Sequence, residues 1–194
     1  MKADRSTPRG LGREGFTLIE MAVVLILVSM GLAMALPKMS TPPEKKAEWV
    51  AQQLERDIEL ARTRAQSTRK RVRVAFDASG QRYASYLDDD RDGAFSEDAD
   101  EMAAFLGGRW TNLKGEVVLG RGKATVGAPG DAGSGPVTFT GNKLNFSSRG
   151  IPMPLGTTGY VYVYHRTSAD AVAAIRVSPS GSTEVFVYSE GAWK

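Results

Sequence analysis

The spacing of the hydrophobic positions changes twice along the chain, and each change indicates a different kind of element. Residues 16–36 form an almost unbroken apolar run, FTLIEMAVVLILVSMGLAMAL. Between residues 44 and 65 the apolar positions lie three or four residues apart, which predicts an amphipathic helix over 43–68 with one face on a sheet. From residue 72 the apolar residues alternate with polar ones, a period that is typical of β-strands.

The alternating region predicts an antiparallel sheet. Residues 72–76 and 83–87 flank the turn-forming sequence DASG at 77–80, so they predict a β-hairpin. The other expected strands are 116–119, 136–140, 143–147, 159–166, 173–178 and 184–189. Residues 120–135 are rich in glycine and predict a mobile loop. The expected fold class is therefore α+β, in which a long N-terminal helix packs on an antiparallel β-sheet region.

The apolar run has the length of a membrane span. As a helix, residues 16–36 would extend about 31 Å, close to the bilayer core thickness of about 30 Å. The chain has a net charge of +3, of which residues 1–15 carry +2, so the body is nearly neutral. A basic leader before a single apolar segment predicts one transmembrane helix with the leader in the cytoplasm.

Two other interpretations of the apolar run remain open. A secretory signal peptide would have a shorter apolar region, but small residues at 29, 31, 33 and 35 offer a possible cleavage site after it. A plain membrane anchor would leave Glu20 unexplained, because a carboxylate at mid-bilayer costs about 2.5–3.5 kcal/mol. Cutting after Gly15 would instead create an ammonium at Phe16, which the Glu20 of a neighbouring subunit could meet in a helix bundle.

The sequence REGFTLIE at 13–20 resembles the cleavage and methylation motif of type IV prepilins and type II secretion pseudopilins. The resemblance implies that a membrane peptidase cuts between Gly15 and Phe16 and methylates the new N-terminal Phe16. It implies that Glu20 serves subunit assembly. Pro37 lies where such proteins often bend the helix, and a proline inside a helix does kink it.

The resemblance also implies a division of the chain. Residues 1–15 are the expected prepilin leader, 16–36 the transmembrane helix, 37–68 the amphipathic continuation of the stalk, and 69–194 a β-rich periplasmic domain. The expected location is the bacterial inner membrane, with a single pass. The expected partners are other pilin or pseudopilin subunits, together with prepilin peptidase as the processing enzyme.

Within this superfamily the chain is similar to the type II secretion minor pseudopilin H and FimT/FimU minor pilin family. The similarity rests on the helix end at 61–66 leading into 70–76, on FSSRG at 146–150, and on the strand pair around 175–178. It implies a structural, non-enzymatic subunit at the tip of a periplasmic pseudopilus. The alternative is a minor type IV pilin that acts in pilus assembly or DNA uptake.

The sequence DDDRDGAF at 88–95 resembles the opening of a calcium loop. Alternate carboxylates from Asp88, Asp90 and Asp92, followed by a glycine for the turn, suit a hard cation. The position that requires a bidentate glutamate is Ala99, so Asp98, Asp100 or Glu101 could substitute only with a different geometry. A calcium site and an ordinary acidic surface turn both remain possible.

A basic run precedes the acidic segment, and its members are Arg62, Arg64, Arg69, Lys70, Arg71 and Arg73. It is the only support for nucleic-acid binding, and the acids of 77–101 can neutralise it, so nucleic acid is an unlikely partner. Catalytic residues are not expected either. The chain has no cysteine, and its single histidine, His165, lies in a tyrosine-rich predicted strand.

Overall fold

A computed structural model describes residues 15–35, 41–96, 101 and 109–194, without the side chains of residues 34 and 35. The chain divides into two compact units, Met1–Ser40 and Thr41–Lys194. The predicted leader before Gly15 and the predicted bend at Pro37 lie outside the described residues.

The first unit contains helix α1, Leu18–Ala35. Its described side chains are exposed on every face, including Leu18, Leu25 and Leu32. Among the described residues, no helix meets both the length and the apolarity that a membrane crossing requires. The predicted span 16–36 reaches beyond the described side chains, so it stays a prediction.

The second unit begins with helix α2, Pro43–Thr68, whose bounds match the amphipathic helix predicted from the sequence. Pro43 occupies the first turn, where a missing N–H costs nothing. Pro42 is the N-cap residue, and no side chain caps the helix. Arg69 ends the helix in a left-handed conformation. The buried stripe of α2 consists of Ala47, Ala51, Leu54, Ile58, Ala61 and Ala65.

The first sheet has five antiparallel strands in the order β3-β2-β1-β5-β6. Its strands are β1 Val72–Asp77, β2 Arg82–Leu87, β3 Thr111–Asn112, β5 Lys143–Phe146 and β6 Pro152–Met153. Strands β1 and β2 form the predicted hairpin, with Val72 opposite Leu87 and Asp77 opposite Arg82.

The second sheet is also antiparallel, in the order β10-β9-β8-β7-β4. Its strands are β4 Val117–Leu119, β7 Gly159–His165, β8 Ser168–Val177, β9 Thr183–Ser189 and β10 Ala192–Trp193. One expected strand, 136–140, is not formed. Only Val137 bridges to Val161, because Pro136 has no N–H for a ladder and Thr140 enters a 3₁₀ turn.

Helix α2 and both sheets share one hydrophobic core. Leu54 and Ile58 of the helix pack with Phe146 of the first sheet and with Val161 and Ile175 of the second. Each of these side chains is almost completely buried. The second unit is therefore an α+β fold in which the predicted helix packs on antiparallel sheets, as the sequence indicated.

The glycine-rich segment 120–135 has no regular structure but is attached to the second sheet. The buried Asp131 carboxylate pairs with Arg121 and accepts a 2.5 Å hydrogen bond from the Tyr162 hydroxyl. The Arg121 guanidinium also lies 4.0 Å from the centre of the Tyr162 ring. Burial first, and then the bond to Asp131, raise the pKa of Tyr162. The opposite charges of Arg121 and Asp131 thus compensate each other where the glycine-rich segment meets the second sheet.

Candidate functional site

The predicted cleavage site lies just before α1 and is open. No neighbouring atom lies within 4 Å of where a Gly15 side chain would begin, and Phe16 is 73% exposed. Thr17 starts the helix, since its hydroxyl accepts a 3.2 Å hydrogen bond from the Glu20 backbone N–H. Glu20 lies in the first turn and is exposed. A carboxylate there is favoured by the helix dipole.

The acidic loop that follows β2 brings four carboxylates together. Asp88, Asp90, Asp92 and Glu101 each present an oxygen, and all four oxygens lie within 4.8 Å of one another. Asp88 and Glu101 are buried, whereas Asp90 and Asp92 are exposed. The cluster therefore has a buried floor and an open mouth, an arrangement into which a cation could enter from solvent.

Backbone N–H groups of the loop orient the carboxylates. Gly93 donates to Asp88 at 3.3 Å, and Ala94 donates to Asp92 at 2.7 Å. Ser96 donates to Glu101 at 2.5 Å, and the Glu101 carbonyl accepts a 2.7 Å bond from the Leu87 N–H at the end of β2. Gly93 has a φ of 82°, a left-handed conformation that suits glycine.

All three aspartates predicted as ligands are thus brought together. Sequence reasoning identified Ala99 as the weak point of the motif, and residue 99 lies outside the described residues. Glu101, considered only as a substitute, is the fourth member of the cluster. Its participation depends on its bond to the end of β2, a contact between segments that sequence spacing does not encode.

The basic run does not form one open surface. Lys70 pairs with Asp89 at 2.6 Å, and Arg62 donates to the carbonyls of Gly150 and Ser180. Arg73 donates to Asn145 at 2.8 Å, and burial lowers the pKa of Arg73. Of these three cations, only Lys70 pairs with an acid of 77–101, whereas these bonds of Arg62 and Arg73 go to neutral groups within the fold.

His165 lies at the end of strand β7, as predicted, and is buried. Its Nδ1 lies 3.0 Å from the Thr167 hydroxyl. Its Nε2 lies 3.2 Å from the Glu116 carboxylate, but without hydrogen-bonding geometry.

Comparison with known proteins identifies the family. The model of the type II transport protein GspH family matches residues 50–181, which cover α2 from Val50, the whole first sheet and strands β4, β7 and β8 of the second. The chain belongs to the GspH family. A second model, the prokaryotic N-terminal methylation motif, matches residues 11–36 of this GspH-family chain. No curated relative matches it in sequence.

Solved structures of a minor pseudopilin, EpsH, share this fold. Two structures of the minor pseudopilin EpsH from the type II secretion system of Vibrio cholerae match with TM-scores of 0.51 and 0.50. Their identities are 15% and 14%, over 77% and 75% of this GspH-family chain and 99% of each EpsH chain. The type IV minor pilin FimU of Pseudomonas aeruginosa matches at 13% identity, with a TM-score of 0.49, over 77% and 93% of the two chains.

Proposed function

We propose that this GspH-family chain is a minor pseudopilin that is cut after Gly15 and built into the tip of a periplasmic pseudopilus. Residues 1–15 are the leader that the peptidase removes, and 16–36 anchor the precursor in the inner membrane. The second unit, with α2 and the two sheets, lies in the periplasm. The role is structural, through contacts with other pseudopilins.

One observation carries this proposal: the methylation motif at 11–36 precedes a GspH-family domain at 50–181 in the same chain. The open Gly15–Phe16 bond and the exposed apolar surface of α1 are consistent with it. A peptidase needs an accessible peptide bond. An apolar helix needs lipid or other helices around it.

The test is the mass of the chain in membranes of the cells that make it. We expect a chain that begins at Phe16 with a methylated amino group. Gly15→Val should remain uncut, because a bulky side chain would block the bond. Gly31→Val, which makes the same change within α1, should be cut normally.

A mature N-terminus near residue 35, or a Gly15→Val chain that is cut normally, would refute the proposed processing.

A separate experiment tests whether the protein belongs to a secretion system rather than to a pilus system. Deleting the gene should stop export of the folded substrates of the type II system and leave twitching motility and transformation unchanged. The opposite result would indicate a minor type IV pilin.

We also propose that the acidic loop binds calcium through Asp88, Asp90, Asp92 and Glu101. Its carboxylates repel one another unless a cation lies between them, and two of them are withdrawn from water. Oxygen ligands in a glycine-containing loop suit Ca²⁺ more than softer metals.

A further inference from the structure

A groove runs along α2 on the side that faces strand β3 and the segment after it. Its volume is about 350 Å³, near the lower end for ligand pockets. Its lining on the helix extends from Lys46 to Arg56, a length of about 15 Å, or nearly three turns. The opposite wall is formed by residues 111–117. A helix about 10 Å wide would not fit inside, but side chains projecting from one would.

The groove joins an apolar floor to a basic rim. Val50 and Leu113 line it, and Trp49 stands at its mouth with 56% of its surface exposed. Exposed tryptophans surrounded by polar residues are common centres of protein interfaces. The charged residues of the lining are Lys46, Arg56, Lys114 and Glu116.

These charges leave the rim positive. Lys46 lies 3.8 Å from Glu116, so these two compensate each other. Among the described residues, Arg56 and Lys114 have no acidic partner, and Arg56 only donates a 3.2 Å hydrogen bond to Gln53. A partner that places an apolar side chain beside Trp49 would therefore gain most by carrying carboxylates on either side.

We propose that this groove is the docking site for the stalk helix of a different pseudopilin-type subunit, one that presents an apolar side chain flanked by carboxylates. The proposal rests on the proposed function, since a filament brings stalk helices side by side. The groove lies parallel to α2 over nearly three turns, a shape that fits a helix laid alongside it.

A second copy of this chain fits the groove less well. Within the described residues, four of the five acids of its own α2 are already engaged, Glu44 in the first turn being the exception. Glu48 pairs with Lys45 at 2.7 Å, Glu59 pairs with Arg62 at 3.4 Å, and Asp57 accepts a 2.5 Å hydrogen bond from the Tyr83 hydroxyl. Glu55 accepts a 3.0 Å hydrogen bond from the hydroxyl of Thr183. Docking these carboxylates on another groove would break contacts inside the fold, so a different subunit is the better occupant.

Photo-crosslinking of the full chain in its own cells tests the proposal. A benzophenone amino acid at Asn112, an exposed residue of the groove, leaves Trp49 and the cations intact. We expect a crosslinked peptide, identified by mass spectrometry, from the N-terminal helix of another prepilin-type subunit. Trp49→Ala and Arg56→Glu should each lower the crosslink yield about fivefold or more.

The controls make the same changes elsewhere on the surface. Leu155→Ala truncates an exposed apolar residue and Arg149→Glu reverses an exposed charge, and both should keep the wild-type yield. Replacing the partner's flanking carboxylate by lysine should restore the yield of Arg56→Glu. That rescue would not occur if Arg56 acted only on the stability of α2.

Three results would overturn the docking proposal: crosslinks to a second copy, crosslinks to an exported protein, or no crosslink from position 112. The same samples separate this failure from failure of the proposed function. If the chain begins at Phe16 and yet gives one of these results, only the proposal that the groove docks a stalk helix is refuted. An uncut chain refutes the processing on which both rest.

Discussion

Asp77 shows how one side chain sets the turn of the β1–β2 hairpin. Its carboxylate accepts hydrogen bonds from the Ser79 hydroxyl at 2.5 Å, the Gly80 N–H at 2.8 Å and Arg82 Nε at 2.9 Å. These bonds, with that of Ser79 first, hold the pKa of Asp77 well below its usual value. A Cβ at Gly80 would lie 2.4 Å from the carboxylate, so a side chain there would displace the Asp77 side chain from these bonds.

The depressed pKa predicts a contribution to stability that depends on pH. The stabilisation is present above the unfolded-state pKa of about 3.9 and is lost as the pH falls towards the lower folded-state value. Asp77→Asn should therefore unfold more easily than wild type at pH 7. The difference in melting temperature between the two should shrink as the pH is lowered below about 4, as measured by circular dichroism.

Asp170→Asn is the control, because Asp170 pairs with Lys123 as an exposed surface pair. Its melting temperature should stay close to that of wild type at each pH. If the melting temperatures of wild type and Asp77→Asn differ by the same amount at pH 7 and pH 3, the ionisation of Asp77 does not stabilise the turn of the hairpin.

At the scale of elements, the local period of apolar residues was sufficient to predict α2 and most of the strands. Helix α2 and the β1–β2 hairpin follow from patterns within a few residues, and both were predicted correctly. The two-residue strands β3, β6 and β10 were missed, because their pairing partners rather than their own residues define them. The division into two sheets was missed for the same reason.

Strand β8 shows the limit of turn signals. It was expected at 173–178 but begins five residues earlier, at Ser168. Residues 168–170 lay outside the predicted strand, yet His165 pairs with Ser168 after a register shift, so only two residues connect β7 to β8. The candidate calcium loop shows the same limit. The three aspartates were predicted from their spacing in the sequence, whereas the position of Glu101 beside them depends on the tertiary fold.

The acidic loop yields a prediction for this element. Millimolar Ca²⁺ should raise the melting temperature of the full chain in detergent, because a ligand that binds only the folded state stabilises it, by about 2.7 kcal/mol at a hundredfold excess over Kd. Replacing Asp88, Asp90 and Asp92 together by Asn should abolish the shift. Glu101→Gln should reduce it.

Asp89→Asn is the matched control within the same loop, since Asp89 pairs with Lys70 and is not part of the cluster. It should retain the calcium shift. If chelator and calcium give the same melting curve for the wild type, the loop is an acidic turn without a cation. An unchanged shift in Glu101→Gln would limit the ligands to the aspartates.

At the scale of the whole molecule, Glu20 is the one charged side chain in the apolar run of 16–36. Glu20→Ala removes a carboxylate that is costly in lipid, so membrane insertion and cleavage should be at least as efficient as in wild type. If Glu20 meets the N-terminal ammonium of a neighbouring subunit, the variant should fail to enter the filament. Crosslinking to other subunits after peptidase processing measures this.

Ser29→Ala is the control, because the Ser29 hydroxyl already bonds to the Leu25 carbonyl inside α1. It should be inserted, cut and incorporated normally. Normal incorporation of Glu20→Ala would show that the carboxylate is dispensable for this subunit, as expected if no subunit lies above it at the tip.

The final strand has a practical consequence for protein engineering. Trp193 packs on the rings of Tyr162 and Tyr188, and its indole N–H bonds to the Val126 carbonyl at 3.0 Å. Lys194 exchanges two backbone hydrogen bonds with Val187. A tag or fusion should therefore not replace residues 192–194, since removing them would uncover the rings of Tyr162 and Tyr188 and break the bond to the segment that contains Val126.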